Sequence, residues 1–279
     1  MISRRSILVG GAALSAMPAM KMWASSDRIF LGGSFEQGGL VVGRTAPSAV
    51  LDLDGKPVRV SPQGLFCFGL AFDANLPLKL TASFPDGTQE IRAVTPHIRQ
   101  YDVRTVNGLP PETVEPSPEV AERIAHEHET IWKAREVVTE GSDFATPIEW
   151  PCPGRLSGIY GSRSVLNGKE MAPHLGVDVA APEGTPIHAA ADGVVAICDD
   201  YFVEGGFTLI DHGQGVNTCY LHQSQRAVTA GQKVKRGEVI GLIGHTGRAT
   251  GPHTHWGLCW FQMKLDPSRA TRTPTPPEA

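Results

Sequence analysis

Between residues 142 and 267 the chain alternates short apolar runs with glycines, a pattern that leaves little room for anything but a sheet. The runs ADGVVAICD, GGFTLIDH, NTCYLHQ, QKVKRGEVIGLIG and THWGLCWF have strand length and carry β-branched and aromatic residues. Gly193, Gly213, Gly215, Gly231, Gly237, Gly241, Gly244, Gly247 and Gly251 punctuate them, as tight turns and bulges require. The pattern predicts an antiparallel β domain over residues 142–268. Within it, His174 and Asp178 are four apart, and His253 and His255 are two apart. On extended chain an even separation places both side chains on one face. Imidazole and carboxylate are zinc ligands, and a catalytic zinc keeps one position open for water. Three of these four could hold one ion and leave a histidine free beside it; His222, in CYLHQS, is a further candidate.

The amino-terminal end reads as an export signal. Arg4 and Arg5 precede an apolar, small-residue stretch that is too short and interrupted to span a membrane. Ser3-Arg4-Arg5-Ser6-Ile7-Leu8 resembles a twin-arginine signal, with an ordinary secretory signal as the other reading. Cleavage near residue 24 would remove Arg4, Arg5 and Lys21 and no acid. The formal charge then moves from −4 to −7. So acidic a body argues against nucleic acid as a partner, and no transmembrane anchor is expected in the mature form. The five cysteines are scattered without a C-x-x-C, which disfavours a cysteine-ligated metal. Cys67, in LFCFGL, reads as a buried small hydrophobe.

Residues 28–105 form another strand-rich stretch, with Asp54-Gly55 and Asp86-Gly87 as hairpin signals. No helical period interrupts it, so a small immunoglobulin-like β-sandwich is expected. A proline-rich, acidic linker and a helix occupy residues 106–141. Ser117 suits the cap, Pro118 the first turn, and Glu119 the positive end of the dipole. Val120, Ile124, Ile131, Ala134 and Val138 draw an apolar stripe that would dock one domain on the other. His126 and His128 are two apart on that helix and cannot comfortably share an ion. The tail, 269–279, is expected to be disordered. The fold class is therefore mainly β: a sandwich, a linking helix and an antiparallel β domain.

His174-Leu175-Gly176-Val177-Asp178, Tyr220-Leu221-His222 and His253-Thr254-His255 together resemble the M23 family of zinc metallopeptidases, the lysostaphin-like or LytM-like peptidoglycan endopeptidases. YGSR at 160–163, VDVAAPEGTPIHAAADGVV, IDHG at 210–213 and GHTGRATGPHTHWG extend the match over about residues 149–267. The resemblance implies one Zn²⁺ held by His174, Asp178 and His255, with His222 and His253 as the catalytic histidines. Thr254 stands where the family commonly has leucine, a difference that bears on packing. No glutamate of the H-E-x-x-H kind is present, so a histidine or Asp178 would have to orient the water. Tyr220, Arg163 and Asn167 are candidates for substrate or transition-state contact, Tyr160 for the groove wall, and His212 for support of a ligand ring; His188 and His245 have no assigned partner. The resemblance implies an exported, periplasmic endopeptidase acting on peptidoglycan peptides. A non-catalytic wall-binding or amidase-activating protein, and a peptidase of secreted proteins, are the alternatives.

Overall fold

The computed structural model describes residues 28–106, 117–166 and 169–278. The expected signal segment, most of the linker and Asn167 lie outside these residues. Two antiparallel sheets make the amino-terminal unit. Phe30–Gly33, Leu40–Arg44 and Leu65–Gly69 form one sheet in that order. Lys56–Val58, Val50–Leu53, Leu78–Ser83 and Gln89–Val94 form the other. Val41, Phe66, Phe68, Leu51, Leu80 and Ala82 fill the space between them. Asp54 (φ 50°) and Gly55 (φ 82°) make the expected two-residue hairpin turn, joining Leu53 to Lys56.

The chain leaves this sandwich earlier than the sequence suggests. Val103–Val106, expected to belong to it, instead pairs in parallel with Arg163–Leu166, which also pairs with Lys169–Glu170. The reason lies just upstream, where three aromatic rings draw the segment onto the second unit. Tyr101 stacks on Phe72 at 4.4 Å between centroids, and both meet the edge of Tyr160.

The carboxy-terminal unit is built on an eight-stranded sheet. Its spatial order is Lys233–Val234, Gly193–Tyr201, Gly205–Asp211, Val216–Gln223, His253–Trp260, Val177–Ala180 and Arg155–Gly158. Met263–Leu265 completes it by pairing with His253–Trp260. One face packs Val179, Tyr220, Trp256 and Leu258 against Ile187 and Ile240 of a small second sheet. The opposite face presents Ile197, Phe207, Leu209 and Cys219 to a helix, Pro118–Glu136, the one α-helix among the described residues. No helix among those residues is long and apolar enough to cross a membrane.

Ser117 caps this helix as expected, accepting from the Val120 amide, and Pro118 opens it. Its buried stripe is Glu127, Ile131 and Arg135, spaced by four; Val138, outside the helix, is exposed. The helix therefore docks on the sheet that follows it in the chain rather than bridging two units. Glu127 is held there because its carboxylate accepts from the Phe202 amide at 2.8 Å and from Arg123. The tail is also laid down rather than disordered. The Trp150 indole N–H donates to the Thr273 carbonyl at 3.0 Å, and the Gly154 amide donates to that of Pro277 at 2.9 Å. A buried indole needs an acceptor, and proline-rich chain outside a sheet has free carbonyls to offer. All five cysteines are free thiols, and burial pushes the Cys67 thiol far up, as befits a core residue.

The two units share a core, since Leu40 and Cys67 of the sandwich belong to the cluster beneath the large sheet. Ion pairs cross the junction: Arg269 Nε meets Glu36 Oε2 at 2.9 Å, and Arg99 Nη1 meets Asp266 Oδ2 at 2.7 Å, with that carboxylate 1 % exposed. Asp266→Ala leaves the Arg99 guanidinium with the Gln37 carbonyl at 3.2 Å and Glu36 at 3.8 Å, and removes the acceptor for the Ser268 amide. A loss of about 2–3 kcal/mol, the scale of a hydrogen bond to a charged group, should appear in urea unfolding. A variant as stable as the parent would mean that the junction does not depend on this pair.

Candidate active site

Alternation along His253–Trp260 puts the site on one face and its anchor on the other. Thr254, Trp256 and Leu258 are wholly buried in the core. His253 and His255 therefore point the opposite way, opposite Ala180 and Asp178 of the neighbouring strand. The expectation of a shared face holds for His253 and His255, and cross-strand pairing brings Asp178 to the same face. His174 arrives differently: it precedes the strand Val177–Ala180 and is seated by the YGSR turn. Its carbonyl accepts from the Gly161 amide at 2.7 Å, and its amide donates to Ser162 O at 2.9 Å. Its Nδ1 faces the Ile159 carbonyl at 3.3 Å, which turns Nε2 toward Asp178. Tyr160 itself is buried, donating to the Lys264 carbonyl, so it supports the turn from inside and does not line a groove.

Three donor atoms converge. His174 Nε2 lies 2.9 Å from His255 Nδ1, and Asp178 Oδ1 lies 3.1 Å and 2.9 Å from them. All three fall within 4.8 Å of one another. Two nitrogens and one carboxylate oxygen aimed at a common point are the donor set of a catalytic zinc with one position left open. Burial would raise the Asp178 pKa, but hydrogen bonds from the two imidazoles hold it far below the usual carboxylate range. The ligand oxygen is thus anionic at any working pH. Burial works against charging either ring; the Asp178 hydrogen bond reverses this for His174, whereas His255 stays below its ordinary value.

Two glycines that the sequence did not single out make room for the ligands. A Cβ at Gly158 would lie 2.1 Å from Asp178 Oδ2, and one at Gly176 would lie 2.4 Å from His255 Nε2. The strand carrying Gly158 also shifts register beside Asp178, which fits a bulge next to a functional carboxylate.

The two remaining histidines border a cleft of about 570 Å³ with the ligands. Each is oriented by a backbone carbonyl: His222 Nδ1 by Thr246 O at 2.9 Å, His253 Nδ1 by Gly251 O at 2.8 Å. A carbonyl partner requires the proton on Nδ1, so each neutral ring has Nε2 free as an acceptor. The ring centroids are 4.7 Å apart, and His253 Nε2 is 3.9 Å from Asp178 Oδ1. Burial, helped by the neighbouring His253 and His255, lowers the His222 pKa to about 4. His222 is therefore a neutral base at neutral pH.

Strand alternation predicts that Tyr220 and His222 share a face, and the structure separates them. His222 takes φ 65°, a left-handed conformation that breaks the alternation and turns its ring into the cleft beside Leu221. Tyr220 stays in the core, its hydroxyl 2.9 Å from the Ala190 amide and 3.0 Å from Thr218 Oγ1. It cannot touch substrate. Arg163 also lies away from the cleft, with its guanidinium 5.4 Å above the Phe72 ring of the sandwich. His212 supports no ligand ring: it is buried between the Asp192 carbonyl and Thr218, at 2.7 Å from each. In their place the cleft is lined by Arg155 and Ser157, which no quoted motif contains, and by Arg248, which lies within GHTGRATGPHTHWG without having been singled out. Gly158→Ala should weaken zinc affinity by about 10- to 100-fold, the range for disturbing a ligand's support. Competition with a chromophoric chelator measures it, and unchanged affinity would refute the requirement for that close approach.

Comparison with known proteins agrees with this geometry. The profile "Peptidase family M23" matches residues 172–267. Peptidoglycan DD-endopeptidase ShyA of Vibrio cholerae is 49 % identical over 90 residues, which is 32 % of this chain and 21 % of that protein. DD-carboxypeptidase/endopeptidase Mpg of Neisseria meningitidis is 47 % identical over 104 residues, 37 % of this chain and 24 % of that protein. The match thus spans about a fifth to a quarter of the length of these curated relatives. A crystal structure from Pseudomonas aeruginosa, titled as a peptidase M23, is 30 % identical with a TM-score of 0.66, covering 84 % of this chain and 94 % of that one. So extensive an overlap takes in the amino-terminal sandwich as well as the cleft, and the chain belongs to peptidase family M23.

Proposed function

We propose that the chain is an exported zinc endopeptidase that hydrolyses peptide bonds in peptidoglycan stem peptides or cross-links. The observation that carries this reading is the convergence of His174, Asp178 and His255 beside two imidazoles whose Nε2 atoms are free. The names of ShyA and Mpg support a D,D bond as the one cut. The paired arginines near the start of the sequence support export to the periplasm by the twin-arginine route. Strand order supports an immunoglobulin-like reading of the sandwich, with one departure. The fourth strand, Lys56–Val58, pairs with the third rather than the fifth, so the sheets hold three and four strands.

His174, Asp178 and His255 would hold the zinc, through Nε2, Oδ1 and Nδ1. Once bound, the ion supplies a Lewis acid that polarises a carbonyl and acidifies water. The chain's own groups supply the proton traffic. His222, neutral and pinned through Nδ1, accepts a proton at Nε2. His253, pinned the same way on the other side, offers a second Nε2 to the leaving amine once protonated. The fixed rings need no reorientation between these roles, so little ordering remains for the reaction itself.

Purified protein should carry one zinc per chain and release soluble muropeptides from sacculi, with mass spectrometry of the products naming the bond. Stoichiometric zinc with no cleavage would instead favour a non-catalytic wall-binding role. His222→Ala should lower turnover by about 10²- to 10⁴-fold, the usual worth of a positioned acid–base group, with zinc content unchanged. Full turnover in that variant would remove His222 from the mechanism.

A further inference from the structure

The helix Pro118–Glu136 covers the face of the sheet that carries the active site. Between helix and sheet lies a second cavity, of about 270 Å³. It shares Leu221 and His255 with the histidine cleft, so the two spaces adjoin along the sheet. Apart from His255, the mechanism uses none of its polar groups.

Two of those groups are unusual. Arg135 is 9 % exposed, yet no carboxylate among the described residues lies within 4.0 Å of it. Its Nη2 reaches only the Cys219 sulfur at 3.9 Å, and its buried Nε has no acceptor. Glu204, on the facing loop, gives Oε1 to His128 Nε2 at 3.1 Å, while its buried Oε2 has no donor. A buried cation without a paired acid is costly, and so is a buried carboxylate oxygen without a donor. The two sit in one cavity without meeting, and Lys264 adds a second cation to its wall. Glu204 is also tied to the catalytic site, because its carbonyl accepts from the His222 amide at 2.8 Å.

We infer that this cavity binds a zwitterionic α-amino acid head group of the substrate, carboxylate to Arg135 and ammonium to Glu204. A donor and an acceptor held apart in one buried space suit a ligand that presents both charges on one carbon. The guanidinium fork matches a carboxylate in a way the ammonium of Lys264 does not. A neutral or singly charged side chain would leave one of the two orphans unpaired, which is the strongest source of discrimination a site can have. In a stem peptide such a head group is the unlinked end of a diaminopimelate residue; lysine at the same position offers the ammonium alone. The inference rests on the peptidoglycan reading and names the feature of the peptide that the enzyme selects.

Calorimetry on the zinc-loaded chain separates the possibilities. The probes are three stem tetrapeptides: one with free diaminopimelate, one with that head carboxyl amidated, and one with lysine in its place. The free head should bind at least about tenfold tighter than either analogue, the scale of one hydrogen bond to a charged group. Arg135→Met, which keeps the apolar stem, should bring the three to within about twofold of one another. Glu204→Gln should weaken all three peptides together, since all three retain the ammonium. Equal binding of all three by the parent chain overturns the inference without any variant, so a misfolded Arg135→Met does not protect it. A preference that survives in a folded Arg135→Met overturns it equally. Sacculus digestion is read separately: selective binding without cleavage would defeat the endopeptidase reading and leave this subsite standing.

Discussion

The site depends on the strict two-residue alternation of the strand His253–Trp260. Trp256 is fully buried and packs its ring 5.3 Å from that of Trp150. Leu258 and Thr254 lie beside it in the core. With these three held inward, His253 and His255 have no choice but to face outward, and cross-strand pairing then sets Asp178 opposite His255. A one-residue slip would exchange histidines for tryptophan on both faces and would destroy core and ligand set together. The chemistry is thus protected by the same packing that stabilises the domain. Thr254, where the family commonly has leucine, occupies the core without a partner for its hydroxyl. This is a local cost on the packed side that leaves the ligand side unchanged.

Where the pattern was regular, the site was legible in the sequence. The H-x-H spacing sets His253 and His255 on the face that Asp178 shares, because strand pairing preserves parity. His174 is reached by another route. Its separation from Asp178 is even, but it sits in a turn, and the backbone of Ile159, Gly161 and Ser162 positions it. Tyr220 marks where parity misleads. A single left-handed residue, His222, reverses the side on which its ring emerges, and no composition or spacing announces a positive φ at a histidine. The seats provided by Gly158 and Gly176 are equally silent, since glycine in a strand-rich chain reads as a turn until something is seen pressed against it.

The helix illustrates a different limit. Its start was readable because Ser117 and Pro118 act locally. Its docking face was not, because Glu127 and Arg135 read as solvent-facing charges in any helical wheel. They become buried through partners distant in sequence: the Phe202 amide for Glu127, and for Arg135 a cavity wall built from the sheet. The same distance effect governs the tail, whose prolines exclude regular structure but not hydrogen bonding through carbonyls.

Charge is distributed unevenly between body and cleft. The formal charge of the chain is −4, yet Arg155 and Arg248 line the histidine cleft, and Arg135 and Lys264 line the cavity that adjoins it. Opposing them in these spaces are Asp178, neutralised within the ligand set, and Glu204, which His128 engages from one side. The groove is therefore a positive track on an acidic molecule, and low-dielectric walls concentrate its field. A ligand rich in carboxylates would be drawn along that track toward His174, Asp178 and His255, while the acidic body holds off other polyanions. The ends of the groove contribute unequally. Arg155 and Arg248 are exposed and screened by salt, so they steer; Arg135 is enclosed, so it can discriminate. That division assigns encounter to the open cleft and selection to the space beneath the helix.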